Sequence, residues 1–191
     1  MKPQKNEGVI GMFSNEGCMG HLAGAGIEKY CTAIQRLFDE HPPLRAKMEQ
    51  LILKAKRVMK ENEDGVASGI QELLEMESSF KEELEIHSDK EEKGLFPLVG
   101  RHIGTQFGPI AVMEYEHSEA KKNLAAFEEL ARNAQNEPTQ EEAGRITAPL
   151  ITAIHILLDH FLKEENVLFP MAENILTSDE KEELLGIIQA G

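Results

Sequence analysis

Two stretches of this chain carry histidine and glutamate at a spacing that can bind a metal ion. In the first, His87 is followed four residues later by Glu91, and in the second, His160 is followed four residues later by Glu164. Residues four apart lie on the same face of an α-helix, one turn from each other, so each pair presents a nitrogen and an oxygen ligand side by side. Both stretches share the pattern H-x-x-x-E-E-x-x-L-F-P. Each one therefore predicts half of a metal site.

A Glu-His dipeptide precedes each stretch at a similar distance along the chain. It contains His41 in the first half and His117 in the second. Two matches in the same order and at similar spacing indicate an internal duplication. Two halves packed about a pseudo-two-fold axis would bring together four imidazoles and two carboxylates, with the glutamates bridging two metal ions. The predicted ligands are His41, His87, Glu91, His117, His160 and Glu164.

The ligand types narrow the choice of metal without fixing it. Imidazole with carboxylate suits iron, and also manganese or zinc, whereas the lack of a thiolate argues against a structural zinc site. We expect the Leu-Phe of each stretch to wall the site with apolar side chains, and the following proline to disturb the helix as it leaves the core. The remaining acids next to the ligands are predicted to be solvated or to lie behind the ligands: Glu40, Glu92, Glu116 and Glu165.

The other histidines and the cysteines fit this pattern less well. His155 is off the face of the helix that carries the ligands, and His102 lies in a glycine-rich loop where we expect it to be exposed. Cys18-x-x-His21 could bind a metal, but it is a weak motif and is left out of the predicted site. With Cys31, the chain has two cysteines, which do not make a disulfide framework at this length.

Composition and charge exclude several classes of partner. The chain has 191 residues, of which 41% are hydrophobic and 28% charged, enough for a globular domain with a core. A formal net charge of -14 argues against nucleic acid and against anionic membrane surfaces. We see no signal peptide near the N-terminus and no apolar stretch as long as a membrane span, so we expect a cytoplasmic protein.

Strong helix formers at helical spacing predict an all-α protein. Short connections favour an up-down-up-down antiparallel four-helix bundle, with an extra N-terminal helix and a short C-terminal helix. Residues 1–22 are predicted to be loosely ordered and 23–191 to form the bundle domain. Two prolines, Pro42 and Pro43, are predicted to end the extra helix and open the next. The later predicted helices cover about 44–63, 67–98, 110–133 and 140–174, with a loop at 99–109, a bend at Pro149, and an N-cap at 177–180 opening the last helix.

The residues described so far resemble the hemerythrin-like, or HHE cation-binding, family over roughly residues 24–188. The resemblance is carried by EHPPLR at 40–45, HSDKEEKGLFP at 87–97 and KEENVLFPMA at 163–172. It is greatest to the repair-of-iron-centres type, which implies a di-iron centre held by four histidines and two glutamates. The implied ligands are the same six, and the implied cofactor is two iron ions joined by an oxo or hydroxo bridge.

The chain also departs from the oxygen-carrying members of that family. Those members use an H-x-x-x-H pair on the third helix, whereas here Met113 and Lys121 stand four residues before and after His117. Their last carboxylate is an aspartate five residues after its histidine, and here the repeat favours Glu164, which lies at four. These differences disfavour a reversible oxygen carrier.

Two functions remain open at this point. The leading hypothesis is a non-haem di-iron protein that binds or reacts with a small molecule such as O2, NO or peroxide in oxidative or nitrosative stress. The alternative is an iron-binding sensor or an iron donor in iron–sulfur repair, without turnover. A metal-free scaffold is disfavoured by the intact ligands in both repeats. The expected partners are a small diatomic ligand or peroxide, with no nucleic acid and no membrane, and a homodimer is left open.

Overall fold

The computed structural model describes residues 29–60, 63–135 and 138–190, and within these ranges every regular element is a helix. The prediction of an all-α protein is confirmed. The segment 1–22 and the predicted start of the first helix lie outside the described residues. The elements are α1 (Thr32–Val58), α2 (Glu63–Lys90), a first π-helical segment (Glu91–Leu95), α3 (Phe96–Ile103), α4 (Pro109–Arg132), α5 (Gln140–Lys163), a second π-helical segment (Glu164–Leu168), α6 (Phe169–Ile175) and α7 (Ser178–Ala190).

Four long helices pack into a bundle. The closest pairs are α1 with α2 and α4 with α5, and α5 also contacts α1 and α2, so the two pairs enclose a shared core. The short helix α7 packs on α1 and on the first π-helical segment. The up-down-up-down antiparallel order of the long helices stays a prediction.

The predicted break at Pro42 and Pro43 is wrong, because α1 runs through both prolines. The expected boundary between an extra N-terminal helix and its successor therefore does not exist. Each interior proline removes a backbone hydrogen bond and costs about 3 kcal/mol or more in a helix. Both prolines lie on the exposed side of α1, and packing of the opposite side offsets that cost. The buried positions recur without a phase shift across the prolines, at alternating steps of three and four residues: Ile34, Leu37, His41, Leu44, Met48, Leu51, Ala55 and Val58.

The two Leu-Phe-Pro triplets do not end their helices either. In each half, a π-helical segment follows the long helix and a further α-helix begins at the phenylalanine. Pro97 lies in the first turn of α3 and Pro170 in the first turn of α6, each directly after the π-helical segment of its half. The helical stretch of the first half therefore extends to Ile103, beyond the predicted end at Leu98, and the loop is correspondingly shorter. Gly104 and Gly108 bound that loop with φ of 81° and 83°, a backbone conformation that favours glycine.

The predicted N-cap of the last helix is confirmed. The Thr177 hydroxyl accepts from the Glu180 backbone N–H at 3.3 Å, and the Glu180 carboxylate accepts from the Thr177 backbone N–H at 3.0 Å. This reciprocal pair satisfies two N–H groups that a helix start leaves without a helical partner.

Among the described residues, one helical stretch, Gln140–Ile175, is long and apolar enough by composition to cross a membrane, although we expected none. A single such helix is weak evidence, because core helices pass the same test. Its most apolar part supplies Leu150, Ile154 and Leu157 to the bundle core.

The core consists of two apolar clusters with a polar layer between them. Along α1, Leu37 belongs to one cluster and Leu44 to the other, and His41 lies between them. The same alternation occurs along α4, and along α2 and α5 when each is taken together with the π-helical segment that follows it. The buried polar and charged side chains of the described residues include all six predicted ligands, together with Glu77, Ser88 and Thr147.

Candidate metal centre

All six predicted ligands come together in the polar layer. Their side chains are almost entirely buried, although they reach the layer from four helical stretches: α1, α2 with its π-helical segment, α4, and α5 with its π-helical segment. His117 is the most exposed of the six, at 4%. Donor atoms of these residues form two groups within 4.8 Å of one another: His41, His87, Glu91 and Glu164 in one, and Glu91, His117 and His160 in the other.

Each buried glutamate faces one histidine from each half. The Oε1 atom of Glu91 lies 3.3 Å from His87 Nε2, and its Oε2 atom lies 3.4 Å from His117 Nε2. Each carboxylate can therefore bridge two metal positions, one beside each histidine.

Glu164 repeats this arrangement with the other two histidines. Its Oε2 atom lies 3.3 Å from His41 Nε2, and its Oε1 atom lies 3.3 Å from His160 Nε2. The result is a set of two nitrogens and two oxygens at His41 and His87, and a set of two nitrogens and one Glu91 oxygen at His117 and His160, which Glu164 approaches on the His160 side.

Six of the eight donor atoms at the centre lack hydrogen-bond partners, and the other two, the Nε2 atoms of His117 and His160, lie 2.9 Å from each other. Both carboxylate oxygens of Glu91 and of Glu164 are buried without a hydrogen bond, and so are the Nε2 atoms of His41 and His87. Leaving such groups unpaired in the interior costs several kcal/mol, unless a cation satisfies them. The residues present therefore fit a pair of metal ions with nitrogen and oxygen ligands.

A ring of four carboxylates holds the outer edge of the imidazoles. The Nδ1–H of each histidine donates to one of these acids, which leaves the Nε2 lone pair directed to the centre. These are the acids that the sequence placed either in solvent or behind the ligands, and the structure places them behind the ligands. The pairs are His41–Glu165 at 2.7 Å, His87–Glu40 at 2.9 Å, His117–Glu92 at 2.7 Å and His160–Glu116 at 3.2 Å.

This outer ring links the two halves of the repeat. Glu40 and Glu116 bind histidines of their own half, whereas Glu92 and Glu165 reach across to the Glu-His histidine of the other half. The two halves are therefore held in register by hydrogen bonds as well as by the central carboxylates.

Sequence reasoning missed the basic residues that complete this ring. Each outer carboxylate also pairs with one lysine or arginine, which compensates its charge at the edge of the core. The signal was present, because both halves have a lysine three residues after the second histidine and a basic residue four residues after the first. The pairs are Glu165–Arg45, Glu40–Lys90, Glu92–Lys121 and Glu116–Lys163.

The charges at the centre favour a cation there. Burial lowers the pKa of His87 and of His160, but the carboxylates of Glu91 and Glu164 and the outer acids outweigh it and raise each pKa to about 10. Burial likewise raises the pKa of Glu91, but His87 and His117 outweigh it and hold that pKa well below its usual range. Protons and metal ions therefore compete for the same nitrogens, and metal binding releases protons.

Aromatic rings shield the histidines from solvent. Phe96 lies 5.4 Å from His117 and Phe169 lies 5.4 Å from His41, measured between ring centroids. These are the phenylalanines of the two Leu-Phe-Pro triplets, so each half walls the Glu-His histidine of the other. Phe161 adds a parallel stack on His41 at 4.0 Å.

The other described histidines and the described cysteine lie elsewhere. His155 is exposed, and exposed His102 pairs with Glu180 of α7 at 2.9 Å. Burial raises the pKa of the Cys31 thiol, which disfavours a thiolate. Cys18 and His21 lie outside the described residues.

Comparisons with known proteins agree with this geometry. A family model described as the hemerythrin HHE cation binding domain matches residues 32–172. Proteins named iron-sulfur cluster repair protein YtfE, from Escherichia coli O1:K1 / APEC and from Shigella boydii serotype 18, are each 36% identical over 146 residues. The match covers 73% of this chain and 62% of the length of those relatives. No solved structure matches the chain.

Proposed function

Because the chain belongs to the hemerythrin HHE cation-binding family, we propose that its six buried ligands hold two iron ions and that this centre binds or reacts with O2, NO or peroxide in oxidative or nitrosative stress. One observation carries the proposal: each of two buried carboxylates lies between a histidine of the His41–His87 pair and a histidine of the His117–His160 pair. Iron is favoured over manganese and zinc because the matched relatives are named for iron–sulfur clusters.

In this proposal, which the duplication supports, each half of the repeat holds one ion. His41 and His87 would hold the first, His117 and His160 the second, and both carboxylates would bridge. Three or four protein ligands leave room on an iron ion that prefers more, so iron bound there would supply a redox-active position that a small molecule can reach.

The other residues of the site position and protect these ligands. The outer carboxylates fix the tautomer and the orientation of each imidazole, and losing such a partner typically costs about 10- to 100-fold in metal affinity. Phe96, Phe161 and Phe169 exclude water from the rings, which protects a reactive centre from side reactions.

A second candidate is the donation of iron to damaged iron–sulfur clusters. The observation that favours it is the name of the matched relatives. This chain spans only 62% of their length, so their whole activity is a proposal here. Under this candidate the iron leaves the protein, whereas under the first it stays bound through each encounter with the small molecule.

Metal analysis of His87→Ala/His160→Ala tests the proposal. We expect two irons per chain in the wild type and almost none in the double variant, because each ion loses one of its two imidazoles. The wild-type visible spectrum should change on addition of nitric oxide, and that of the double variant should not.

The matched control is His102→Ala/His155→Ala, which removes two exposed histidines and should retain both irons. Two irons per chain in His87→Ala/His160→Ala would overturn the ligand assignment. Transfer of wild-type iron to an apo-ferredoxin, without any reaction with nitric oxide or peroxide, would favour the second candidate.

A further inference from the structure

The surroundings of the two Glu-His histidines differ, although their ligand geometry matches. On His41 the Phe161 ring stacks in parallel, with ring planes 1° apart. The duplication places Ser88 at the position of Phe161, because each residue follows the second histidine of its half. The Ser88 side chain therefore lies beside His117 at the position that the Phe161 ring has beside His41.

A cavity of about 210 Å³ lies against His117. Its wall combines apolar side chains with Ser88, the His117 ring and three charged residues. The carboxylate on the outer edge of His117, Glu92, is not part of the wall. The lining residues are Lys81, Leu84, Glu85, Ser88, His117, Ala120, Lys121, Leu124 and Leu157.

The matching region beside His41 is filled by larger apolar side chains. Leu44 takes the place of Ala120, and Ile154 takes the place of Lys81. Both belong to the apolar core together with Phe161. Arg45, the counterpart of Lys121, covers the outer face of Phe161 at 5.5 Å from the ring centroid. The residue differences at these matched positions thus leave a cavity beside His117 and fill the matching space beside His41.

A second cavity, of about 180 Å³, touches His87 but offers a poorer approach to the centre. Its wall includes Glu40 and Lys90. Those two side chains pair at the Nδ1 edge of the ring, on the side away from the central carboxylates. The cavity beside His117 has no such carboxylate between it and the ring.

We infer that the cavity beside Ser88 and His117 is a binding pocket for small uncharged molecules, and that they reach the proposed metal centre through it, on the second-half side alone. The leucine side chains of the wall suit a diatomic gas, which needs no polar partner, and the two lysines that also line it are already paired with Glu128 and Glu92. Ser88 supplies a hydroxyl that can donate to a bound polar molecule such as peroxide. The pocket needs no metal, whereas the route to the centre rests on the proposed function.

Xenon binding tests the pocket separately from the metal. In crystals pressurised with xenon, we expect an anomalous peak between Ser88 and His117 in wild type and none beside His41. Ser88→Phe, which copies the closed half, should remove the peak. Phe161→Ser with Leu44→Ala, which copies the open half, should create a peak beside His41.

Nitric oxide association with the reduced, iron-loaded protein tests the route. Stopped-flow measurement should show association slowed about tenfold or more in Ser88→Phe, because entry then requires the core to open. Ala120→Leu fills the pocket from the opposite helix and gives the same result if Ser88→Phe fails to fold. Iron content should stay at the wild-type value in both.

The outcomes separate the two proposals. A xenon peak equally strong on both sides, or absent beside His117, would overturn the pocket. Unchanged nitric oxide association in filled variants that have lost the xenon peak would overturn the route. A protein that takes no iron but shows the expected xenon pattern would overturn the proposed function and leave the pocket supported.

Discussion

In the first half of the repeat, the Glu-His histidine lies beneath a phenylalanine, and in the second half its counterpart faces a serine and a cavity. The six clustered residues and the outer ring nevertheless match, because the two proposed metal positions would require the same donors in the same geometry. The residues next to these donors, such as Phe161 and Ser88, would not bind metal and are free to differ between the halves. Residues that match between the halves therefore belong to the proposed metal site. Residues that differ indicate a role that only one half has.

The largest expected effect tests the agreement between the halves. Because Glu91 and Glu164 each face a histidine of both metal positions, Glu91→Gln and Glu164→Gln should each lose both irons. The neutral amide supplies one oxygen and turns an N–H₂ towards the second position. Iron per chain, measured by mass spectrometry after gel filtration, checks this.

Glu92→Gln serves as the matched control for Glu91→Gln. Its side chain lies behind His117, so iron affinity should fall about 10- to 100-fold while the saturated stoichiometry stays at two. One iron retained in either bridging variant, with both lost in the other, would show that the two carboxylates are not equivalent.

A second difference between the halves lies away from the metal. Glu77 is buried on the core side of α2, where the duplication places Leu150 on α5. Burial, assisted by Glu128, raises the pKa of Glu77 to about 7. One of its oxygens has no hydrogen-bond partner. The first half thus has the buried carboxyl group of Glu77 at the position where the second half has the apolar side chain of Leu150.

Glu77→Leu should raise the free energy of unfolding in a pH-dependent way. In the unfolded chain this carboxyl ionises near its ordinary pKa, so the folded protein binds more protons between about pH 4.5 and 7 and loses stability as pH rises through that window. The loss reaches about 3 kcal/mol above pH 7. The increase in the free energy of unfolding caused by Glu77→Leu should therefore be larger at pH 8 than at pH 5, by up to that amount. Urea unfolding at the two pH values measures this difference.

The comparison with Glu82→Leu isolates the buried group, because Glu82 is exposed on the same helix. The gain from Glu77→Leu at pH 8 should exceed the gain from Glu82→Leu at the same pH. A gain in Glu77→Leu that is the same at pH 5 and pH 8 would mean that burial of a hydrocarbon, not removal of a titrating carboxyl, stabilises the protein.

The sequence was sufficient to predict the six clustered residues, because a metal site requires its donors at fixed helical spacing and the duplication displays that spacing twice. The duplication also contains a lysine three residues after His87 and after His160. Their charge pairing with Glu40 and Glu116 could not be predicted, because it depends on the packing of separate helices. The rule that proline ends a helix gave a wrong boundary at Pro42 and Pro43. The spacing of buried positions, at three and four residues, predicts the continuous helix that the structure shows.

The π-helical segments could not be predicted from the sequence. Each begins at a central glutamate, whose backbone carbonyl accepts from the phenylalanine N–H five residues later. No residue type encodes that wider turn, and its position at the centre of the site agrees with the frequent occurrence of such turns at functional sites. Matching the two halves position by position would also have revealed Ser88 against Phe161.

The smallest expected effect concerns the first π-helical segment, where Gly94 matches exposed Val167 in the second. A Cβ atom at Gly94 would lie 2.9 Å from Leu184 Cδ1 of α7 and 3.2 Å from Ile187 Cγ2. Gly94→Val, which makes the halves alike, should therefore displace α7 and cost about 1 to 3 kcal/mol. Urea unfolding gives the cost, and faster amide exchange confined to α7 gives its location.

A double-mutant cycle with Leu184→Ala decides whether contact with α7 is the cause. Truncating Leu184 removes the nearest atom, so Gly94→Val should cost less in that background than in the wild type. Val167→Gly provides the opposite exchange at an exposed position and should cost only about 0.5 to 1 kcal/mol, through helix propensity. An undiminished cost in the Leu184→Ala background would place the strain in the π-helical backbone itself, and the glycine would then be required by the wide turn that presents Glu91 rather than by the helix packed on it.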